Sequence, residues 1–152
     1  MRVSAKTDYA IRAALELAAA EDAKPIKGER IATAQSIPLR FLENILMQLR
    51  HAGLVESRRG AEGGYRLAKP AADITLADVI RAIDGPLAGV SGVRPEMLAF
   101  DGAAEPMREV WIAVRAALRG VLEQVTLADV ASGRLPGHVR GLLGEEDAWV
   151  SR

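Results

Sequence analysis

Apolar and polar residues follow helical spacing in the first part of the chain. In the first segment the apolar residues fall three or four positions apart, which predicts a helix over residues 5–21 with Ser4 as its N-cap. A short second helix is predicted over Lys27–Gln35, with Ile31 and Ala32 turned inwards. The chain therefore opens with two helices.

The segment from residue 38 to 52 carries the clearest two-sided pattern. Pro38 suits the first turn of a helix, where its missing N–H costs nothing, and Gly53 suits the C-cap. One face of the predicted helix is apolar and consists of Leu42, Ile45, Leu46 and Leu49. The complementary face consists of Arg40, Glu43, Asn44, Met47 and Gln48. Such a helix packs one face on a core and leaves the other face outside.

Two short segments with strand character follow, Leu54–Ser57 and Gly64–Leu67. The glycine-rich stretch Gly60–Gly63 between them is a turn signal, so the two segments are predicted to form a β-hairpin. Arg58 and Arg59 fall at the tip of this hairpin, which is the only predicted sheet.

The remainder is predicted to be helical, apart from one long loop and the end. Thr75 opens a helix that runs to about Asp84, with a Thr-Leu-Ala-Asp string typical of a capping box. The same string returns at 126–129 at the start of a short helix. Because the flanking residues differ, the string is interpreted as one capping solution used twice. Residues 85–106 hold four Gly and three Pro, as expected of a functional loop or a linker.

A long helix over residues 105–125 is predicted from apolar residues at heptad-like spacing. The end of the chain, from Leu135, is rich in glycine and acidic residues, and is predicted to be flexible.

Charge is divided unequally along the chain, although the formal net charge is zero. Residues 1–69 hold 12 Lys+Arg and 8 Asp+Glu, a balance of +4, and residues 70–152 hold 8 and 12, a balance of −4. A polarised molecule of this kind steers a phosphate backbone to its basic part.

Composition excludes several kinds of site. The chain has no cysteine, so it forms no disulfide, thiolate metal site or cysteine nucleophile. It has no phosphate-binding loop, dinucleotide fingerprint or zinc-protease motif, and its two histidines suggest no catalytic triad, so an enzyme is not expected. The longest apolar region is interrupted by Arg12 and Glu16, and the start has no apolar signal core. These features predict a cytoplasmic protein.

The order of elements predicts a mainly α fold, a winged helix-turn-helix with a two-stranded β wing. The major groove of DNA admits one helix whose outer side chains face the bases. Arg reads guanine, Asn reads adenine and Glu accepts from cytosine, while arginines on a wing tip can enter a narrow minor groove. A polar helix face or a basic hairpin tip alone is ordinary for a protein surface. Both together, in this order and in the basic half, favour binding to double-stranded DNA.

Two strings carry a resemblance to a known family: IPLRFLENILMQLRHAGLV, and the following SRRGAEGGYRL. Together with the opening MRVSAKTDYAIRAALELA they resemble the Rrf-two (Rrf2) family of bacterial transcription regulators, which includes IscR, NsrR and CymR. The resemblance covers residues 1 to about 88, and the helix at 105–125 matches in position and character.

The resemblance implies a homodimer, a repressor or an activator, with one predicted helix of each subunit in one half of a palindromic site. Residues matching Arg40, Glu43 and Asn44 face the bases in relatives, and one matching Arg59 enters the minor groove. The implied DNA-binding residues are Tyr9, Lys27, Pro38, Arg40, Glu43, Asn44, Gln48, Arg58, Arg59, Gly63, Gly64 and Tyr65. The long helix forms the dimer contact, and its implied dimerisation residues are Met107, Val110, Trp111, Val114, Leu118, Val121 and Leu122.

The chain then divides into four predicted parts. Residues 1–84 form the DNA-binding domain, 85–104 a loop that in many relatives carries an iron–sulfur cluster, 105–134 the dimerisation helix with a short helix, and 135–152 the tail. The loop has no cysteine, and cluster irons need thiolates or, less often, imidazoles. Asp8 matches an acidic ligand of some relatives, but it is expected to pair with Arg12 on the helix face. No cluster or other cofactor is predicted.

The use of the loop without thiolates stays open. It can bind a small effector or a partner protein, or be a structural remnant. Met97, Leu98 and Phe100 can line an apolar pocket or, as is more usual for such residues, pack on the dimerisation helix. An alternative function is a winged-helix interaction module that regulates a partner protein and binds DNA only weakly.

Overall fold

The computed structural model describes residues 2–151, and it is mainly helical with one two-stranded antiparallel sheet. The helices are α1 (Ala5–Ala18), α2 (Gly28–Gln35), α3 (Leu39–His51), α4 (Leu76–Asp84), α5 (Met107–Leu122), α6 (Leu127–Ser132) and α7 (Gly137–Leu143). The strands are β1 (Val55–Arg58) and β2 (Gly64–Leu67). Short 3-10 turns lie at Glu21–Ala23, Ala71–Asp73, Pro95–Met97, Gly102–Ala104 and Glu146–Trp149. The predicted fold class, mainly α with a β wing, is confirmed.

Several element boundaries differ from the prediction. Helix α1 begins after Ser4, whose hydroxyl accepts from the Thr7 backbone N–H at 3.1 Å, but ends at Ala18 instead of 21. Beyond it Asp22 has a positive φ of 55°, which a continuing helix does not allow. Strand β1 runs from 55 to 58 and not from 54 to 57. Helix α5 ends at Leu122 because Thr126 must be extended (φ −94°, ψ 163°) to cap α6.

The core lies between α1, α2 and the apolar face of α3. The four predicted leucine and isoleucine side chains of α3, from Leu42 to Leu49, have 0% exposed surface. They pack in one cluster with Ala10, Ala13 and Leu17 of α1. Small side chains on α1 let the two helices approach closely. This packing fixes which face of α3 remains outside.

Helix α6 returns to the same core, although it lies far along the chain. Leu127 has 0% exposed surface and belongs to the cluster formed by α1 and α3. The backbone N–H of Leu76 donates to the carbonyl of Val125 at 2.9 Å, and the N–H of Leu127 donates to the carbonyl of Ile74 at 2.9 Å. Residues 127–132 therefore pack with the predicted DNA-binding domain.

Both Thr-Leu-Ala-Asp strings form complete capping boxes, as predicted. In each, the Thr hydroxyl accepts from the Asp backbone N–H at 3.1 Å, and the Asp carboxylate accepts from the Thr N–H at 2.9 or 2.8 Å. Thr75 and Thr126 also form an antiparallel bridge. The two copies of the string thus cap two helices whose first residues lie side by side.

The end of the chain contains α7 and a 3-10 turn where the sequence predicted no regular element. The His138 Nε2 atom lies 3.0 Å from the Gly120 carbonyl of α5, and the Trp149 indole N–H donates to the Leu143 carbonyl at 2.8 Å. Its apolar side chains are largely exposed, with Trp149 at 76%. The flexibility of this segment stays a prediction. Across residues 2–151, no helix has both the length and the apolar character needed to cross a membrane.

Candidate nucleic-acid interface

Helices α2 and α3 are joined by a sharp turn. Ser36 ends α2 in the left-handed conformation, with φ 53° and ψ 45°. Ile37 follows and is buried with 4% exposed surface, so it ties the turn to the core. Pro38 precedes the first helical residue as the N-cap of α3, one position before the first turn in which the sequence placed it. This turn sets the direction in which α3 leaves α2.

The outer face of α3 carries the residues that were predicted to face the bases. Arg40, Glu43 and Asn44 are exposed, and Gln48 is half-buried. The Gln48 side-chain amide donates to the Asn44 Oδ1 atom at 3.0 Å. That bond orients the Asn44 amide, whose two N–H donors stay available to a base edge. The side chains of Arg40 and Glu43 make no hydrogen bond or ion pair with any residue between 2 and 151.

A stack of side chains holds α1 against α3 at the edge of this face. The Tyr9 ring meets the Phe41 ring edge-on, with centroids 5.7 Å apart, and the Arg12 guanidinium lies 4.8 Å from the Tyr9 centroid. Arg12 also donates to the Gln35 carbonyl at 2.9 Å, and its predicted ion pair with Asp8 is confirmed at 2.9 Å. Tyr9 is therefore half-buried in a structural stack.

Sequence reasoning missed the contributions of Phe41 and of Arg12 to this stack. The spacing of Tyr9 and Arg12, three residues apart on one helix, is a signal for their contact. Phe41 gave no comparable signal, because its partner lies on another helix.

The wing is a tight hairpin whose turn needs glycine at position 63. Strands β1 and β2 pair antiparallel, with Arg58 opposite Gly64. A Cβ atom on Gly63 would lie 2.2 Å from the carbonyl oxygen of Arg58, so no larger residue fits the turn. Arg58 and Arg59 at the tip are exposed. Neither arginine side chain forms a hydrogen bond or ion pair in the described range, so both guanidinium groups are free to meet phosphate or a groove.

Two backbone hydrogen bonds attach the wing to the start of α2. The Ile26 N–H donates to the Tyr65 carbonyl, and the Tyr65 N–H donates to the Ile26 carbonyl, each at 2.8 Å. The Tyr65 ring also lies 3.7 Å from the position of a Cβ on Gly28, so the side chain packs over the first turn of α2. Lys27 is exposed beside it. Tyr65 thus acts in the anchoring of the wing.

A second link of the wing, this one to α3, was not predicted. The Arg50 guanidinium, in the last turn of α3, donates to the Ser57 hydroxyl on β1 at 3.0 Å. The sequence gave no signal for this bond because it depends on how the hairpin folds back towards the helix. The wing is therefore held by the start of α2 on one side and by the last turn of α3 on the other.

Helix α5 presents two apolar faces. Trp111, Val114 and Leu118 border a cavity beside α4 and the following loop, and Leu122 packs on the small cluster of Ala77, Ile80 and Leu87. No residue of α5 is buried.

A neighbouring face of α5 is a row of small and β-branched residues. Val110 has 46% exposed surface, and Ala113, Ala117 and Gly120 are exposed as well. Val114 lies at the margin of this row and has 38% exposed surface. The predicted dimerisation residues are thus divided between the two faces, with Met107 and Val121 half-buried.

The comparisons with known proteins decide the family. Residues 3–133 match the family Rrf2, which is described as an iron-dependent transcriptional regulator. The chain belongs to the Rrf2 family of DNA-binding transcription regulators. It is accordingly not an enzyme.

Named relatives and solved structures resemble this Rrf2 chain over most of its length. A protein of Mycobacterium tuberculosis named as an HTH-type transcriptional regulator, Rv1287, is 50% identical over 151 residues, which cover 99% of this chain and 94% of that one. The structure of CymR from B. subtilis, titled the global cysteine regulator, superposes with a TM-score of 0.75 at 35% identity, covering 88% of this chain and 98% of that one. The structure of IscR from T. potens superposes with a TM-score of 0.70 at 32% identity, covering 100% of this chain and 93% of that one. These likenesses confirm the winged helix-turn-helix.

The donor groups of this Rrf2 protein do not fit an iron–sulfur cluster. Its loop after α4 presents Leu87, Ala88, Val90 and Ser91 to the cavity, and the chain contains no cysteine. Asp84 at the end of α4 already accepts from the Ser4 and Thr7 hydroxyls, at 3.2 and 2.5 Å. Within residues 2–151 no three His, Cys, Asp or Glu side chains are grouped for a metal ion. Cluster irons require thiolates or imidazoles.

The apolar residues of the loop do not form the pocket that was considered. Met97 is 72% exposed, and neither Leu98 nor Phe100 lines the cavity beside α5. The 3-10 turn at Pro95–Met97 is instead held to α5 by polar contacts, since Arg108 donates to the Glu96 carbonyl at 3.0 Å. Leu98 and Phe100 are half-buried, and their packing on α5 stays a prediction.

Proposed function

We propose that this protein is a homodimeric repressor that binds a palindromic operator and acts without an iron–sulfur cluster. The observation that carries the proposal is the joined surface of α3 and the wing. Unpaired Arg40 and Glu43 and the oriented Asn44 lie on the outer face of α3, and the unpaired Arg58 and Arg59 lie on the wing tip. In our proposal α3 enters the major groove, and the wing arginines contact the adjacent minor groove or backbone.

The charges of this surface support contact with the phosphate backbone of DNA. Lys27 at the N-cap of α2, Arg30 on α2, Arg40 on α3 and the wing-tip residues Arg58 and Arg59 are exposed. Their side chains pair with no acidic group among residues 2–151. Exposed cations without partners can neutralise phosphates and release counterions. Tyr9, Pro38, Gly63, Gly64 and Tyr65 then contribute by shaping the surface, and Gln48 by orienting Asn44.

The second face of α5 supports a dimer. An exposed apolar row along a 16-residue helix is costly in water, and alanine and glycine let a second helix approach closely. In our proposal the row formed by Val110, Ala113, Val114 and Ala117 meets the same row of a second copy. A two-fold dimer of this kind presents two α3 helices, so the half-sites should lie one to two helical turns apart, at about 34 Å per turn.

The absence of thiolates supports regulation without a cluster. With no cysteine in the chain and the Asp8 carboxylate engaged by Arg12, a cluster lacks the ligands that it needs. The colourless protein is therefore proposed to be the form that binds the operator.

Fluorescence anisotropy with the DNA upstream of the protein's own gene tests this function. Binding to that DNA should be saturable, should survive non-specific competitor, and should engage two chains per site without added metal. Shuffled DNA at several salt concentrations gives the electrostatic background. Equal, strongly salt-dependent binding to both DNAs would contradict the proposal and favour a module that regulates a partner protein.

The dimer face has its own matched pair of variants. Ala117→Glu places a charge in the exposed row of α5, and Ala131→Glu makes the same change at an exposed position of α6. Light scattering should find a dimer for the wild type and for Ala131→Glu, and a monomer for Ala117→Glu. A dimer in all three proteins would show that the contact lies elsewhere.

A further inference from the structure

Four arginines surround a second cavity on the side of the molecule formed by α4, the following loop and α5. The cavity measures about 320 Å³, and its charged lining residues are Arg81, Arg94, Arg115, Arg119 and Glu96. Such a concentration of guanidinium groups is unexpected here, because residues 70–152 carry an overall balance of −4. The cavity also lies among residues that take no part in the proposed DNA surface.

Two acidic residues account for only part of this positive charge. Arg81 at the end of α4 donates to Glu123, and Arg119 lies 3.6 Å from the same carboxylate. Arg115, whose side chain is only 17% exposed, donates to Glu96. Since four guanidinium groups face two carboxylates, the group keeps an excess of two positive charges.

Among the four arginines, only the Arg94 side chain has no partner within the described residues. Arg94 borders the cavity, but its side chain makes no hydrogen bond or ion pair with a residue in the range 2–151. Its charge does help to lower the pKa of the Glu96 carboxyl, after the backbone hydrogen bond of that residue and the contact with Arg115. Glu96 is thus ionised at neutral pH, and the excess of two charges stands.

The donors around the cavity suit an anion with two charges. A guanidinium group is a planar fork of N–H donors that matches the oxygens of a phosphate or a carboxylate. Only Arg81 and Arg115 of the four donate a hydrogen bond to another described residue, so most donors stay available. A cavity of about 320 Å³ is at the small end of ligand pockets, which favours a small molecule.

We propose that this cavity binds a small dianion, a phosphate group or a dicarboxylate, with Arg94 as a principal contact. The lining comes from α4, which packs on α1 and α3, and from α5. A bound dianion therefore bridges the DNA-binding domain to the proposed dimerisation helix, and its concentration can alter how the two are held together.

Calorimetric titration of the full chain without DNA tests the site. The probes are inorganic phosphate and succinate, with sodium chloride at matched ionic strength as the reference. Arg94→Ala is the diagnostic variant, because the Arg94 side chain makes no hydrogen bond or ion pair with another residue in the range 2–151. Arg134→Ala is its control, since Arg134 is also exposed, carries the same charge and lies outside the cavity. We expect saturable binding of at least one probe. Arg94→Ala should weaken that binding about tenfold or more, which is a loss of about 1.4 kcal/mol in binding free energy. Arg134→Ala should leave it unchanged.

The outcomes separate the two ligand chemistries. Binding of phosphate alone identifies a phosphate-bearing ligand, and binding of succinate alone identifies a dicarboxylate. The proposal is overturned if neither probe saturates, if both variants weaken binding equally, or if Arg94→Ala leaves binding unchanged. Because the assay contains no DNA, its result does not depend on the operator or on the sign of regulation.

Discussion

Replacement of Gly64 by alanine should detach the wing from α2. Gly64 has a φ of +147°, and an added Cβ would lie 2.5 Å from the Ile26 carbonyl oxygen and 2.9 Å from the Lys27 nitrogen. Both atoms belong to backbone, so no flexible side chain can yield. The strand must move, which breaks the two hydrogen bonds between Ile26 and Tyr65, each 2.8 Å long.

The expected cost follows from these two effects. Loss of two backbone hydrogen bonds costs about 1–3 kcal/mol at about 0.5–1.5 kcal/mol each. The positive φ of a residue with a Cβ adds strain of about 1–3 kcal/mol. Gly64→Ala should therefore lower the free energy of unfolding by about 2–6 kcal/mol. Gly60→Ala separates the effects, because Gly60 also has a positive φ, 105°, but its Cβ would meet nothing within 4 Å.

Urea unfolding followed by circular dichroism at one protein concentration measures both variants. Gly60→Ala should show only the strain, so the difference between the variants should be about 1–3 kcal/mol. DNA binding of Gly64→Ala, measured where the protein is still folded, should also fall more than that of Gly60→Ala. If Gly64→Ala were no less stable than Gly60→Ala, the close contact between β2 and Ile26 would not exist as described.

Further predictions concern the core, the cap and the DNA surface. Leu127→Ala should cost about 2–5 kcal/mol in urea unfolding, whereas Leu142→Ala, at a side chain that is 47% exposed, should change stability by about 0.5 kcal/mol or less; equal effects would exclude α6 from the core. The backbone N–H and hydroxyl of Thr126 lower the pKa of Asp129. The stabilisation is therefore present above the ordinary pKa of an aspartate and is lost as the pH falls through the lowered value. The stability difference between wild type and Asp129→Asn should consequently vanish in acid, and a difference that persists there would refute the cap. In anisotropy titrations Asn44→Ala should relax preference at one base pair per half-site by about 1–3 kcal/mol, and uniform weakening on all sequences would contradict base contact. Arg59→Ala should reduce the salt slope by about 0.9 for one lost phosphate contact, and an unchanged slope would place Arg59 away from the backbone.

Local rules were enough to predict much of this fold. The apolar stripe of α3, the N-cap Ser4 and both capping boxes depend on residues three or four positions apart, and a sequence displays such spacing directly. The Asp8–Arg12 pair belongs to the same class. The hairpin was found because its glycines are required by the turn itself, as the close approach of Gly63 to Arg58 shows.

What the sequence did not predict depends on contacts between distant segments. Three such contacts are the packing of Leu127 in the core of α1 and α3, the hydrogen bond from Arg50 to Ser57, and the packing of the Tyr65 ring over α2. Each joins elements whose relative position only the folded chain defines. The same holds for α5. Heptad-like spacing marks apolar residues, but it cannot state which of two partners each will meet, the protein's own α4 or a second chain.

The two faces of α5 suggest why its apolar residues are so numerous. A helix that packs only on its own domain needs one apolar stripe, yet α5 has Trp111, Leu118 and Leu122 on one side and Val110, Ala113 and Ala117 on the other. The first side ends next to Arg115 and Arg119, which border the arginine-lined cavity. A ligand there would act on the side of α5 that meets the DNA-binding domain, while the other side would hold the second copy in the proposed dimer. Because a helix is stiff, a small rotation of α5 would then change the separation of the two α3 helices in the proposed dimer. That separation must match the spacing between the half-sites of a palindromic operator.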